Sequence, residues 1–341
     1  MKSIISYFLI AGTILSTAFC GYSETTDCDL KLTWSRKKLS VLVVKKKDDE
    51  GAVNALVDVI IWLIQKKRVK VFVEKAVAND LILINNLKLS AVRQELSCFE
   101  NDNAIMKDTI DFIICLGGDG TLLYTCSLFQ ETVPPIISFN LGSMGFLAPF
   151  SIQHFQKDIT KVLEGCATIF RRDRIACKLF KKEDDLMEHP IHFTVLNDVA
   201  MRRISSSLTN LNVYHDGYFV TNVQADGLII STATGSTAYS ASSGASLLYP
   251  SVQAILISTI CSHSLTSRPI MVPLDGELKI TLHPASRENV SVVFDNKNDQ
   301  ELRIGDSLYI TKSVYPVPTI NSENQITDWF SSLAKTLNWN V

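Results

Sequence analysis

In the first half of the chain, short apolar runs typical of strands alternate with segments whose apolar residues recur at helical spacing. Four short apolar runs have the length and composition of buried parallel strands, at residues 40–44, 69–73, 111–116 and 136–139. Apolar residues from Val53 to Ile64 recur at helical spacing, and further helices are predicted near 87–96 and at 121–129. Strands that alternate with helices predict a doubly wound α/β domain.

The pattern changes after a helix predicted at 153–164. Short β-rich runs dominate from there, at residues 175–180, 193–201, 211–214, 218–223, 278–282, 290–294 and 307–311. His215-Asp216-Gly217 predicts a tight hairpin turn. These runs predict an antiparallel β-sandwich, interrupted by a helix near 237–248. A proline-spaced link at 315–318 then leads to a final amphipathic helix.

We therefore expect two domains, the first α/β over residues 31–145 and the second β-rich over 146–317. Residues 1–30 stand apart as a leader or appendage. Lys2, an apolar stretch at 4–15 and small residues at 16–21 resemble a secretory leader, too short for a convincing membrane span. A variable or misassigned first exon is an equal alternative to a signal peptide.

Charge and cysteine content narrow the function classes. The chain of 341 residues carries 33 basic and 35 acidic side chains, so no long-range field favours nucleic acid or an anionic membrane as a partner. Its eight cysteines show no C-x-x-C spacing of a zinc or redox site. Buried, reduced thiols of a cytoplasmic protein explain them better than a disulfide framework.

The first candidate site is the segment Gly117-Gly118-Asp119-Gly120-Thr121, which follows a predicted strand and opens a helix. Such a turn gathers backbone N–H groups where a phosphate can bind. Neither G-x-x-x-x-G-K-[ST] nor G-x-G-x-x-G occurs, which argues against Walker-type nucleotidases and standard dinucleotide-binding dehydrogenases. A carboxylate beside polyphosphate must bind a metal or take a proton. Alternatively, Asp119 only caps the helix.

A second glycine turn lies at residues 226–240, where an apolar run is followed by hydroxyls, a glycine and a helix start. Tyr239 could stack on a base. A helix cap rich in Ser and Thr would explain one or two of these hydroxyls, but not so many. Asn197-Asp198, in an apolar strand, is costly to bury without a partner. By itself, this pair fits a strand end as well as a ligand site. Residues 140–146 are predicted to cross between domains near the cleft.

In this order and spacing, the segments resemble the NAD kinase family, specifically its animal-type branch. The resemblance rests on the GGDGT segment at 117–121, Asn197-Asp198, the DG-x-x-x-ST-x-x-GSTAYS segment at 226–240, and residues 262–269 and 328–333. It extends from about residue 31 to the C-terminus. It implies that residues 318–341 return to the α/β domain.

The resemblance implies transfer of the ATP γ-phosphoryl group to the 2′-hydroxyl of the adenosine ribose of NAD, which gives NADP. Asp119 would be the catalytic base and Asp226 would contact the nicotinamide end. The residues expected to bind nucleotide are Gly117, Gly118, Gly120, Thr121, Asn197, Asp198, Asp226, Thr234, Gly235, Ser236, Thr237, Ala238, Tyr239 and Ser242. Mg²⁺ would accompany ATP, with no protein ligand assigned to it. A homo-oligomer, most often a tetramer, is implied.

Two other functions remain open at this stage. Lipid and sphingoid-base kinases share a GGDG turn, although the segment at 226–240 argues against them. A non-catalytic NAD- or NADP-binding sensor would keep the fold without turnover, which the intact Asp119 disfavours.

Overall fold

A computed structural model of the chain describes residues 20–24, 30–35, 38–80, 86–100, 104–142, 145–182 and 190–339. Most of the predicted leader lies outside these residues, as do Ser143 and Met144 of the predicted crossover. The described part of the leader, Cys20–Glu24, forms strand β1 and pairs antiparallel with β2 (Leu30–Trp34). The first sheet therefore begins inside the segment that was predicted to stand apart.

The described chain forms two sheets, and the first contains ten strands. Six of its seven parallel strands form a continuous row: β3 (Ser40–Lys45), β4 (Lys70–Glu74), β5 (Leu96–Phe99), β6 (Phe112–Leu116), β7 (Ile136–Asn140) and β21 (Val317–Ile320). Their spatial order is β21, β7, β6, β3, β4, β5. Beyond β21 lie the antiparallel strands β9 (Thr168–Arg172), β2 and β1, and β8 (Phe150–Ser151) pairs with β7.

Both faces of this parallel sheet are covered. Val41 and Val43 of β3 belong to one apolar cluster, whereas Leu42 and Val44 belong to another on the opposite face. Successive side chains of a strand point to opposite faces, so this division is the signature of a doubly wound sheet. The described helices are α1 (Glu50–Trp62, continued by a π-helical turn at Leu63–Lys67), α2 (Lys75–Ala78), α3 (Leu87–Ser90), α4 (Ala104–Thr109), α5 (Asp119–Ser127), α6 (Phe155–Leu163), α7 (Tyr239–Ser242) and α8 (Gln325–Leu337).

The second sheet has eleven antiparallel strands in the described chain. They are β10 (Ile175–Phe180), β11 (Ile191–Val195), β12 (Asp198–Arg203), β13 (Thr209–His215), β14 (Tyr218–Ser231), β15 (Ala254–Ser262), β16 (Ile270–Pro273), β17 (Leu278–Leu282), β18 (Val290–Phe294), β19 (Lys297–Leu302) and β20 (Ser307–Lys312). Phe193 of β11 stacks on Phe294 of β18 at 4.1 Å, so the sheet curls around one apolar core. The predicted class, an α/β domain followed by antiparallel β structure, is confirmed.

The predicted domain boundary needs a correction. β9, at 168–172, still belongs to the first sheet, because it hydrogen-bonds to β21 and β2. We therefore propose that the first domain runs through Arg172 and resumes at Val317, and that the second spans 175–312. Leu333 of α8 packs in the same cluster as Leu122 of α5, so the C-terminal helix does return to the first domain.

Three local predictions were wrong. The helix expected at 237–248 is a 3-10 turn at Thr234–Thr237 and the single turn of α7, because Gly244 at φ 78° leaves the helical region. Residues 87–96 split into α3, a 3-10 turn at Arg93–Glu95 and the start of strand β5. The prolines at 315–318 suggested a link, but β21 begins at Val317. Among the described residues, no helix combines the length and apolarity needed to span a membrane.

Candidate active site

The site begins where the parallel sheet changes direction. From β3 the chain passes through α1 to β4 on one side, and from β6 it passes through α5 to β7 on the other. Neighbouring strands whose connections diverge leave a crevice at their carboxyl ends, which is where open α/β sheets bind ligands. Lys45 ends β3, Lys46 and Lys47 follow it, and Gly117–Thr121 follow β6, so both segments border this crevice.

The first glycine turn is fixed by space and by backbone conformation. Gly117 has φ 157°, and a Cβ there would lie 2.2 Å from the Thr121 hydroxyl oxygen. Gly118 is the N-cap residue of α5 and offers no side chain, so the first N–H groups of this nine-residue helix are not capped by a side chain. Uncapped N–H groups at a helix N-terminus form a natural phosphate site.

A cavity of about 690 Å³ lies over this turn. Its lining includes Gly117, Gly118, Gly120, Thr121 and Tyr124, together with four lysines, Lys45, Lys46, Lys47 and Lys297. Asp49 is the one carboxylate in the described lining, and it forms an ion pair with Lys46 at 2.9 Å. Cations are therefore in excess, and the cavity suits a polyphosphate. We call it the phosphate cavity.

Asp119 does not cap its helix, contrary to the alternative left open above. One carboxylate oxygen accepts the backbone N–H of Phe146 and the other accepts that of Leu147, both at 2.9 Å. A Cβ at Gly145 would lie 2.1 Å from Oδ1, so glycine is needed beside the carboxylate. Each oxygen keeps a lone pair for a further proton donor. Asp119 is thus a fixed carboxylate at the first turn of α5.

A second cavity of about 420 Å³ contains the polar pair. Asn197, Asp198, Ala238 and Tyr239 line it, with Leu123, Ala200, Arg202, Val293, Asp295 and Asn296. The amide oxygen of Asn197 is buried and accepts no hydrogen bond. A buried acceptor without a partner is costly, and a ligand donor would satisfy it. We call this space the nucleoside cavity. It adjoins the phosphate cavity across Leu123 and Tyr124 of α5.

Asp295 holds the polar pair in place. Its carboxylate accepts the backbone N–H groups of Leu196, Asn197 and Asp198 at 2.7, 2.8 and 3.1 Å. Burial raises the pKa of Asp295 to about 6, and the three N–H donors oppose this rise. Burial also raises the pKa of Asp198 to about 7, and the nearby Asp295 adds to the rise. Two neighbouring carboxyls thus face one small, largely buried space.

The second glycine turn supports the nucleoside cavity from behind. A Cβ at Gly235 would lie 2.1 Å from the carbonyl oxygen of Asn197, so only glycine allows this approach. Most hydroxyls of the turn bind backbone: Thr232 donates to Leu196, Ser236 and Thr237 donate within the turn, and Ser231 donates to Asn197. Hydrogen bonds to nearby backbone therefore account for more of these hydroxyls than the one or two expected from the sequence. Thr234, Gly235 and Ser236 are buried.

Seven of the predicted residues line neither cavity: Asp119, Asp226, Thr234, Gly235, Ser236, Thr237 and Ser242. Asp119 lies beside Gly118 and Gly120 of the phosphate cavity, and residues 234–237 precede Ala238 of the nucleoside cavity. Asp226 is partly exposed and forms an ion pair with Arg203 at 2.9 Å. Ser242 is exposed at the end of α7. Their roles toward NAD remain predictions.

Gly145 was predicted only as part of a crossover near the cleft, and Asp295 and the four lysines were not predicted as site residues. Lys45–Lys47 carried a usable signal, because they directly follow the first parallel strand, whose carboxyl end is a usual ligand position. The sequence around Gly145 and Asp295 gave no such signal, since both residues contact residues that are distant in the chain.

The described residues contain no cluster of three or more His, Cys, Asp or Glu side chains that could hold a metal ion. Near the phosphate cavity, Asp49 is bound to Lys46, Glu74 to the Tyr124 hydroxyl, and Asp119 to backbone N–H groups. This donor set does not fit a resident metal. A divalent cation bound by the phosphates of a nucleotide substrate is compatible with it.

Comparisons with known proteins agree with this geometry. Residues 41–167 match the ATP-NAD kinase N-terminal domain, and residues 196–322 match the ATP-NAD kinase C-terminal domain. A rice protein named probable NAD kinase 2, chloroplastic, is 37% identical over 314 residues, which cover 91% of this chain. The chain spans only 31% of the length of that relative.

Two further relatives are covered over most of their length. An uncharacterized kinase of Schizosaccharomyces pombe is 35% identical over 324 residues, which cover 88% of this chain and 80% of that protein. The crystal structure of yeast NADH kinase complexed with NADH superimposes with a TM-score of 0.85 at 30% identity, covering 93% of this chain and 92% of that one. The described residues that line the two cavities lie within the two matched domains, and the chain belongs to the NAD kinase family.

Proposed function

We propose that this chain is an ATP-dependent NAD kinase, which transfers the γ-phosphoryl group of MgATP to the 2′-hydroxyl of the adenosine ribose of NAD. One observation carries the proposal: a lysine-rich cavity and a cavity with an unsatisfied amide oxygen meet across α5, the helix that begins with Asp119. A phosphate donor and a nucleoside acceptor could therefore bind side by side.

Each part of the site has a role in this reaction. The triphosphate of ATP lies against Gly117, Gly118, Gly120 and Thr121, where helix N–H groups and lysines offset its charge. The Asn197 amide oxygen accepts a hydrogen bond from the adenine amino group of NAD, and Asp198 binds a ribose hydroxyl. Thr237, Ala238 and Tyr239 border the adenine, with Tyr239 stacking on the base.

Asp119 acts as the general base. Its two backbone hydrogen bonds fix the carboxylate and leave lone pairs for the 2′-hydroxyl proton. The acceptor oxygen then attacks the γ-phosphorus, and ADP leaves. Mg²⁺ enters as part of MgATP and offsets charge on the phosphate oxygens. Asp226 and Ser242 are assigned to the nicotinamide end and the adenine edge of NAD on the resemblance alone.

The test is NADP formation by the purified chain from NAD and MgATP, measured with and without residues 1–30. Parallel reactions offer diacylglycerol or a sphingoid base as acceptor. The proposal requires NADP as the product. Phosphorylated lipid would favour a lipid kinase instead, and tight NAD binding with no phosphorylated product would favour a sensor.

We also propose a cytoplasmic homotetramer. Unpaired cysteines in the described chain, Cys115, Cys126 and Cys177 among the buried ones, are compatible with a reducing compartment. Light scattering on the purified chain tests the tetramer, which a monomeric mass would contradict.

A further inference from the structure

Lys297 differs from the other three lysines of the phosphate cavity because it comes from the second sheet. It follows the turn Asp295-Asn296, whose residues have left-handed φ values of 47° and 58°. Asp295 and Asn296 line the nucleoside cavity, whereas Lys297 lines the phosphate cavity. Lys297 is therefore the residue at which the chain passes from the lining of the nucleoside cavity to that of the phosphate cavity.

Two residues of the first domain hold the ammonium group of Lys297. Lys297 Nζ lies 4.1 Å from the centre of the Tyr124 ring, a cation–π contact. The Tyr124 hydroxyl in turn donates a hydrogen bond to Glu74, the last residue of β4. The ring cannot turn away without breaking that bond, so Glu74 fixes the ring and the ring fixes the cation.

The neighbouring lysines are placed differently. Lys46 is paired with Asp49, Lys47 is exposed, and Lys45 lies against the backbone oxygen of Lys46 at 3.5 Å. Lys297 is partly buried, and this burial lowers its pKa, with Lys47 acting in the same direction and Asp295 and Glu74 opposing it. A partly desolvated cation interacts more strongly with an anion that enters its site.

We propose that Lys297 contacts the phosphoryl group while it moves from ATP to the acceptor, and that Tyr124 and Glu74 position it. This inference rests on the proposed kinase function. In the step, the bond from the γ-phosphorus to the bridging oxygen of ADP breaks, and a bond to the 2′-oxygen forms. The hydroxyl proton goes to Asp119, and Lys297 keeps its own proton while it offsets charge on the phosphoryl oxygens.

The test compares Lys297→Met and Lys297→Arg with Lys279→Met. Lys279 is a matched control, because it lies 5.2 Å over the ring of Tyr309 on the same sheet but lines neither cavity. Lys297→Met should lower kcat for NADP formation by about 10²-fold to 10³-fold, the usual loss for one charge-stabilising donor. The dissociation constant for NAD, measured without ATP, should change less than about threefold. Lys297→Arg should recover at least about tenfold of the lost kcat, and Lys279→Met should match the wild type.

Variants of Tyr124 separate the ring from its hydroxyl. Tyr124→Phe keeps the cation–π contact and should cost only a few-fold in kcat, whereas Tyr124→Leu should cost about tenfold or more. Thermal unfolding confirms that each variant is folded. A Lys297→Met enzyme with kcat within threefold of wild type, or with an equal loss of NAD affinity, overturns the inference while the kinase function stands. Absence of NADP formation by the wild type overturns both.

Discussion

Gly145→Ala is the sharpest perturbation of the proposed base. The new methyl group would lie 2.1 Å from Oδ1 and 2.6 Å from Cγ of Asp119, where non-bonded contacts normally need about 3.5 Å. The carboxylate must therefore move by about 1 Å or more. A displacement of that size at a reacting group can cost about 10²-fold in rate. We expect kcat for NADP formation to fall by about that factor.

The fold should survive this substitution, because the group that must move is the end of a side chain. Asp119 would lose two backbone hydrogen bonds, and a bond to a charged group contributes about 1.5 to 3 kcal/mol. Water replaces part of that loss, so we expect the free energy of unfolding to fall by about 1 to 3 kcal/mol. Denaturant unfolding measures this change, and a reporter dehydrogenase specific for NADP measures kcat.

A double-mutant cycle tests whether the effect passes through Asp119. Asp119→Asn should lower kcat by about 10²-fold to 10⁴-fold. In that background, Gly145→Ala should have less than about a threefold further effect, since its target is already disabled. A Gly145→Ala enzyme with normal kcat would refute the reasoning. So would a double variant whose loss of kcat equals the product of the losses in the two single variants.

Three further predictions concern the nucleoside cavity, the glycine turn behind it and Asp226. Gly235→Ala puts a methyl group 2.1 Å from the backbone carbonyl oxygen of Asn197. Because a backbone oxygen cannot move away as a side chain can, the free energy of unfolding should fall by about 1 to 3 kcal/mol. An unchanged melting temperature would contradict this prediction. The pKa of Asp198 is raised to about 7 from 3.8, so its protonation stabilises the native state fully below pH 3.8, and that contribution is lost as pH rises through 7. Asp198→Asn should raise the free energy of unfolding at pH 8 by about 1 kcal/mol or more and weaken NAD binding; a less stable variant at that pH contradicts this. Asp226→Asn removes a partly exposed ion pair with Arg203, so the free energy of unfolding should change by less than about 1 kcal/mol, whereas the KM for NAD should rise. An unchanged KM would contradict the contact proposed between Asp226 and the nicotinamide end of NAD.

The sequence predicted those parts of the site that are local in the chain. The turn at 117–121 and the pair Asn197-Asp198 are short segments, and each had a structural alternative that only the family resemblance disfavoured; both line a cavity in the structure, apart from Asp119 itself. Four of the parallel strands, β3, β4, β6 and β7, were found because each is a nearly continuous apolar run. The start and end of such elements follow from the same local pattern.

The rest depends on contacts between distant residues. Asp119 meets backbone N–H groups 27 and 28 positions away, and Asp295 meets Leu196 across 99 positions. The residues that flank Asp119 and Asp295 in the sequence do not indicate partners so far along the chain. Strand β21 was missed for the same reason, because its place between β7 and β9 is set by the sheet and not by Pro316 before it or Pro318 within it.

The proposed function requires that this chain phosphorylates the 2′-hydroxyl of NAD with Asp119 as the base. The most direct measurement supplies ATP labelled in its γ-phosphate together with NAD, and locates the label in the product by phosphorus NMR. The account predicts label on the 2′-oxygen of the adenosine ribose with the wild-type chain. It predicts almost none with Asp119→Asn, although that variant still binds NAD with normal affinity. Label on any other atom, or near-normal transfer by Asp119→Asn, would contradict the account.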